Sequence, residues 1–241
     1  MSFPSTTVGE FSRKCKELYD YPHGSQPVRR LLVYTGLYWL AAEYAAFDDR
    51  PSSEYHASVS KRFQELVLRT LANFPLILPA TMESIEALMA GSCFAIDVCK
   101  PSLSQTLTSA AARLCQILGY HRFSSMTNDD EIERDRKIIL FWFVYMMDKT
   151  ISLRLGHASA IQDFEIALPK PQISKAFSAS FVHLINFWVD VSRVQGQIGE
   201  QLYSPAALMS SSSARAERAE KLADELREAY EARIKVCSLW C

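Results

Sequence analysis

Residues 110–169 read AAARLCQILGYHRFSSMTNDDEIERDRKIILFWFVYMMDKTISLRLGHASAIQDFEIALP. Leu103, Leu107, Ala111, Leu114 and Leu118 recur at helical spacing up to this stretch, and Gly119 can take the left-handed conformation that stops a helix. Ser102 and Gln105 have capping-box spacing at the other end of that helix. After a polar loop, Asn128, Asp129 and Asp130 each offer an N-cap, Asn128 and Glu131 again have capping-box spacing, and Glu131 and Glu133 add first-turn carboxylates that favour the helix dipole. Residues 138–147 are apolar on every side, which predicts burial all round, and this run is too short for a membrane span of roughly 20 residues. Lys149 and Arg154 fall in the C-terminal part, and Gly156 can supply the closing left-handed residue.

The same reading extends outward in both directions. Residues 1–27 hold Pro4, Gly9, Pro22, Gly24 and Pro27, and read as a partly ordered lead-in with a short helix over 10–19. They lack the charged and then apolar regions of a secretory signal. A long apolar helix is expected over 29–47, where Gly36 and Glu43 interrupt the run and favour a buried helix over a membrane span. A turn at 48–53 with Pro51 leads to an amphipathic helix over 54–73, whose stripe is Val59, Phe63, Leu66, Val67 and Leu71. Pro75 and Pro79 break the chain, and Thr81 caps a helix over 82–98. Beyond the central stretch, a helix is expected over 174–202 with Phe177, Phe181, Leu184, Phe187, Trp188 and Val191 inward. A serine-rich loop over 204–213 follows, then a charged helix over 214–237 with a seam of Ala219, Leu222, Leu226, Tyr230 and Ile234. No strand-period run and no internal repeat occur, so the fold class is all-α.

Composition narrows the function. The 241 residues suffice for one large helical domain or two small ones, 49% are apolar, and only 8 glycines favour helices over turn-rich β architecture. The formal net charge of −1 supplies no field for nucleic acid, whereas a stand-alone DNA-binding domain is usually basic. Cys15, Cys93, Cys99, Cys115, Cys237 and Cys241 contain no C-x-x-C pair, and the five histidines are scattered, so no zinc site is expected. Reduced, buried thiols are the expected state of these cysteines.

No phosphate loop or nucleophile elbow is present. The run Asp129-Asp130-Glu131-Ile132-Glu133 resembles the magnesium-binding box of helical terpenoid synthases. No second box accompanies it, and a helix N-terminus collects acids for its own reasons. Arg134, Arg136 and Lys137 stand among five nearby carboxylates, which favours local ion pairs over DNA contact. The aromatic run Phe141, Trp142, Phe143 and Tyr145 reads as core.

Leu118-Gly119-Tyr120-His121-Arg122 resembles the LGLHR box of the fungal-specific transcription factor domain, the middle homology region of fungal zinc binuclear cluster regulators. Glu133-Arg134-Asp135-Arg136-Lys137 resembles its E-x-R-R-R run, and Leu140-Phe141-Trp142 with Tyr145, Asp148 and Lys149 its LFW-x-x-Y-x-x-D-R box. Residues 155–161 resemble LGRPxAI, with His157-Ala158 in place of Arg-Pro, and 163–169 resemble its D-x-D-I-x-x-P close. Asp135 interrupts the basic triplet.

The resemblance implies a regulatory domain over 28–241 of a nuclear transcriptional regulator, with control of a metabolic or secondary-metabolite gene cluster as one expected role. The family's domain usually continues further, so truncation at the C-terminus is expected. The cysteine-rich zinc cluster is missing from these residues, so specific DNA binding is expected only through a family module or a partner. The implied partners are the transcription machinery, a DNA-binding protein or a second copy of the chain; no cofactor, catalytic residue, metal ligand or membrane contact is expected. The signature residues Gly119, His121, Arg122, Arg134, Arg136, Trp142, Asp148 and Gly156 are expected to be structural. Asp148, in an apolar surround, should be at least half buried and bonded to His121, Arg122 or nearby backbone amides. The alternatives are a helical interaction module without transcriptional output and a magnesium-dependent helical enzyme.

Overall fold

The computed structural model describes residues 7–21, 26–47, 52–175 and 177–238. Pro22 and Gly24 of the lead-in, the Pro51 turn, Trp240 and Cys241 lie outside the described residues, as do the side chains of Ile234 and Cys237. The described residues form helices with no strand, in two compact units, residues 1–114 and 115–241. No helix among them is long and apolar enough to cross a membrane.

In the first unit α1 spans Val8–Asp20, α2 Pro27–Phe47, α3 Ser52–Ala72 and α4 Met82–Asp97. Thr7 and Glu10 close α1 with a full capping box. The apolar run of α2 is explained by its neighbours: it packs on both α3 and α4, and Val28, Leu31, Leu32 and Trp39 meet Val67, Ala87, Ala90 and Phe94 in the core. Gly36 is required for a close approach, because a Cβ there would lie 2.4 Å from the Phe11 ring of α1. Thr81 caps α4 through the Ser84 amide at 3.2 Å, as the sequence predicts.

Residues 84–92 of α4 are all buried, and the polar ones are paired. Ser92 Oγ lies 2.7 Å from both Ser104 Oγ and Thr108 Oγ1. Buried Glu86 accepts from Lys14 Nζ at 3.4 Å. Cys99 ends the turn after α4 with a left-handed φ of 56°. The next helix, α5, then spans Pro101–Ile117. It begins at Pro101, where a missing N–H costs nothing, so Ser102 sits inside its first turn and not at the cap expected for it.

In the second unit α6 spans Glu131–Leu155, α7 Ala179–Ile198, α8 Pro205–Leu208 and α9 Ser212–Ser238. Asp130, not Asn128, caps α6, accepting from the Glu133 amide at 2.8 Å. Gly156 closes α6 in the left-handed region at φ 68°.

Four expectations fail here, in whole or in part. The helix expected from 174 starts at Ala179, after the Ser178 cap. Its buried face is Val182, Ile185, Val189, Val191 and Val194, together with Phe187, while Leu184 and Trp188 stay exposed; Phe187 and Val191 are inward as expected, and β-branched residues fill most of the rest. Within the expected 204–213 loop, Ser204 caps the single turn of α8 through the Ala207 amide. In α9, Leu222 is buried and Ala219 exposed. The Tyr230 ring stands edge-on to Phe187 at 5.0 Å, with Arg233 over the other ring at 4.7 Å.

Candidate functional site

One face of α6 carries Trp142, Tyr145, Asp148 and Lys149, which recur at three- and four-residue spacing. Opposite them runs the return segment 157–169, which has no regular ladder for its backbone groups. Those groups need partners where they are buried. Asp148, 2% exposed, accepts from the Ala160 amide at 3.1 Å and the Ile161 amide at 2.9 Å. Lys149 Nζ donates to the Ile161 carbonyl at 2.9 Å and lies 2.8 Å from Asp163 Oδ1. Tyr145 donates its hydroxyl to the same Asp163 oxygen at 3.1 Å, and Trp142 Nε1 donates to the Pro169 carbonyl at 2.9 Å. The aromatic rings of Trp142 and Tyr145 meet edge-on at 5.2 Å.

On its other side the segment pairs with the turn after α5. The Ala167 amide donates to the His121 carbonyl at 2.9 Å, and the Phe123 amide donates to the Ala167 carbonyl at 2.9 Å. The signature boxes therefore clasp one irregular segment between them. Burial pushes the Asp148 carboxyl above its ordinary range, and the two amides and Lys149 only partly offset this. Burial and Asp163 push the Tyr145 hydroxyl up, so it stays a donor.

Of the donors expected for Asp148, backbone amides hold and His121 and Arg122 do not. Its amides come from Ala160 and Ile161 in the L-G-H-A-S-A-I box, not from the G-Y-H-R turn, because the return segment engages both. His121 is 7% exposed; its backbone serves the segment, its Nδ1 has no protein partner, and burial, then Arg122, hold its imidazole below its ordinary value. Arg122 is exposed and bridges to Ala167 through its backbone. Gly119 stops α5 at φ 75°. Arg134 and Arg136 are half-buried on the first turns of α6.

Sequence reasoning missed the Lys149–Asp163 pair and the fit of Gly196 against Lys149, whose Cδ a Cβ would meet at 2.8 Å. A charged pair of residues inside an apolar run and a glycine inside a helix were the available signals. Beside the clasp, the last turn of α6 and the end of α7 border a cleft of about 740 Å³. Its wall includes a five-residue π-turn, Gly199–Tyr203, that ends α7.

The model of the fungal specific transcription factor domain matches residues 6–232. The chain belongs to this family. A transcriptional regulatory protein of Schizosaccharomyces pombe is 30% identical over 132 residues, covering 51% of this chain and 17% of that protein. The Fusaridione A cluster transcription factor of Fusarium heterosporum is 25% identical over 133 residues, covering 52% of this chain and 26% of that protein. An ABC-transporter-regulating transcription factor of Aspergillus fumigatus is 31% identical over 88 residues, 36% of this chain and 10% of the relative. The chain thus spans about a quarter or less of the length of these relatives. No solved structure matches.

In this family member the acidic run before α6 is occupied by structural work. Asp130 caps the helix, and Asp129 and Glu133 hold Lys137 at 2.8 and 2.9 Å. No group of three His, Cys, Asp or Glu side chains that could hold a metal ion occurs among the described residues. Of the described cysteines, Cys115 is buried, Cys15 and Cys93 are half-buried and Cys99 is exposed, so burial of the thiols is only partial. Burial pushes Cys93 up to about 12, which keeps it a thiol.

Proposed function

We propose that this chain is the regulatory domain of a nuclear fungal transcription regulator that reaches DNA through a separate module or a partner chain. The observation that carries the reading is the family match over residues 6–232, within which the signature boxes form one clasp. Structural work for these boxes, with no acid–base or nucleophilic pair among them, fits a domain that transmits a state and performs no chemistry. Control of a metabolic or secondary-metabolite gene cluster is the finer reading, supported by a relative named for such a cluster. Proteins of the transcription machinery, or a second copy of the chain, are its partners in this reading.

The test is a fusion of the chain to an unrelated DNA-binding domain in a fungal reporter strain. Reporter output should change relative to the DNA-binding domain alone, and Asp148→Ala should abolish the change. Unchanged output would favour an interaction module without transcriptional output. In a separate assay the purified chain should show no specific DNA complex. A Kd near ~10⁻⁸ M or tighter at physiological salt would overturn the dependence on another module.

A further inference from the structure

The cleft at the end of α6 has features that the clasp does not use. Its volume, about 740 Å³, lies in the range that holds a drug-sized molecule. Leu153, Ile198, Tyr203 and Pro205 give it apolar walls, and the Tyr203 side chain is largely exposed. The π-turn in its wall is a rare backbone form found mostly at functional sites. Gly199, which opens that turn, leaves space, because an added Cβ would meet only Leu153 Cδ1, at 3.8 Å.

The charges decide the class of occupant. Lys149 reaches the cleft, but its ammonium is engaged by Asp163 and the Ile161 carbonyl. Arg154 and Glu200 are opposite in sign and both exposed at the rim. The last turn of α6 lines this region, and the C-terminal end of a helix disfavours anions. Polar groups for orientation remain in Ser159 and Gln195; the Gln195 carbonyl oxygen already accepts from Thr150 at 2.7 Å.

We propose that this cleft is a binding site for an uncharged amphipathic small molecule. The π-turn is tied to α9, because Arg218 Nη1 donates to the Gln201 carbonyl at 3.4 Å. An occupant that shifts the turn shifts that contact and with it the start of α9. This regulatory consequence rests on the proposed function, whereas binding itself does not.

The probe is 1-aminoanthracene, a neutral apolar fluorophore, titrated into the purified chain. Saturable binding of one probe per chain is expected, with a Kd of about 100 μM or tighter. Gly199→Trp should fill the cleft and weaken binding at least about tenfold, with the circular dichroism spectrum and Tm unchanged. Should that variant not fold, Tyr203→Ala decides, since its side chain is exposed; it should weaken binding at least about threefold. A carboxylated analogue of the probe should bind more weakly. Absence of saturable binding overturns the site, as does wild-type affinity in both variants, or in Tyr203→Ala where Gly199→Trp does not fold. Equal or tighter binding of the anionic analogue overturns the ligand class. The proposed function fails separately, if the reporter fusion is silent while the probe still binds.

Discussion

Residues 1–114 and residues 115–241 solve different problems. In the first unit the core is a set of apolar faces, with Val28, Leu31 and Leu32 of α2 against Val67 of α3 and Phe94 of α4. Three of its buried hydroxyls meet at Ser92, which bonds to Ser104 and Thr108, while Thr35 and Ser60 donate to helix carbonyls, and most of its described backbone lies inside helices. In the second unit thirteen residues, 157–169, lie between helices with only a short 3₁₀ turn at Asp163–Glu165. Side chains of α6 must therefore supply what a helix supplies for itself. Apolar packing is graded and tolerates small losses, whereas a backbone clasp leaves several buried groups unpaired when one member goes.

The largest expected effect breaks the clasp. Asp148→Ala should cost about 3 kcal/mol in urea unfolding, because it strands the amides of Ala160 and Ile161 beside a buried Lys149. Hydrogen exchange at those two amides should accelerate while α2 and α4 stay protected. A loss below about 1 kcal/mol would make the clasp ornamental.

Next comes the tightest approach in the first unit. Gly36→Ala places a methyl group 2.4 Å from the Phe11 ring and should cost about 2 kcal/mol. Hydrogen exchange across α1 should then accelerate. Pairing it with Phe11→Leu should restore part of the loss; no restoration would mean that α1 is held chiefly by the ion pairs of Lys14 with Glu83 and Glu86 and of Glu17 with Arg29.

A smaller effect belongs to Gly156, whose φ of 68° is strained for any residue with a Cβ. Nothing lies within 4 Å of an added Cβ, so Gly156→Ala should cost only the backbone term, about 1 kcal/mol, read from the urea midpoint.

The smallest effect is in pH dependence, where the two units have opposite signs. In the first unit burial raises Glu83, but its hydrogen bond and charge contacts with Arg29, together with Lys14, outweigh that and hold it below its ordinary value. Its contribution is present above the unfolded pKa and is lost as pH falls through the folded one. In the second, Asp148 is raised by burial, so its contribution is largest below the unfolded pKa and is lost as pH rises through the folded one. From neutral pH to about pH 4, the stability gap between wild type and Glu83→Gln should shrink, while the gap to Asp148→Asn should widen. Gaps that move together would show that one of the two carboxyls is misassigned.

Local rules account for most of the helices in this chain. The caps at Thr81 and Gly156, the stop at Gly119 and the apolar runs of α2 and α6 follow from residues within a few positions of one another, since a cap or a turn closes over three or four residues. The acidic start of α6 was legible, although three adjacent cap formers left the choice open until Asp130 took the Glu133 amide. That Asp148 would be buried and bonded was also legible, because a carboxylate among apolar residues requires it. Its partners were not. Ala160 and Ile161 serve through their amides, and a backbone amide leaves no trace in residue identity. The inward face of α7, the glycine seat against Lys149 and the cleft beside the π-turn were decided only by tertiary structure, because each depends on how close two distant segments come, and composition carries no record of that distance.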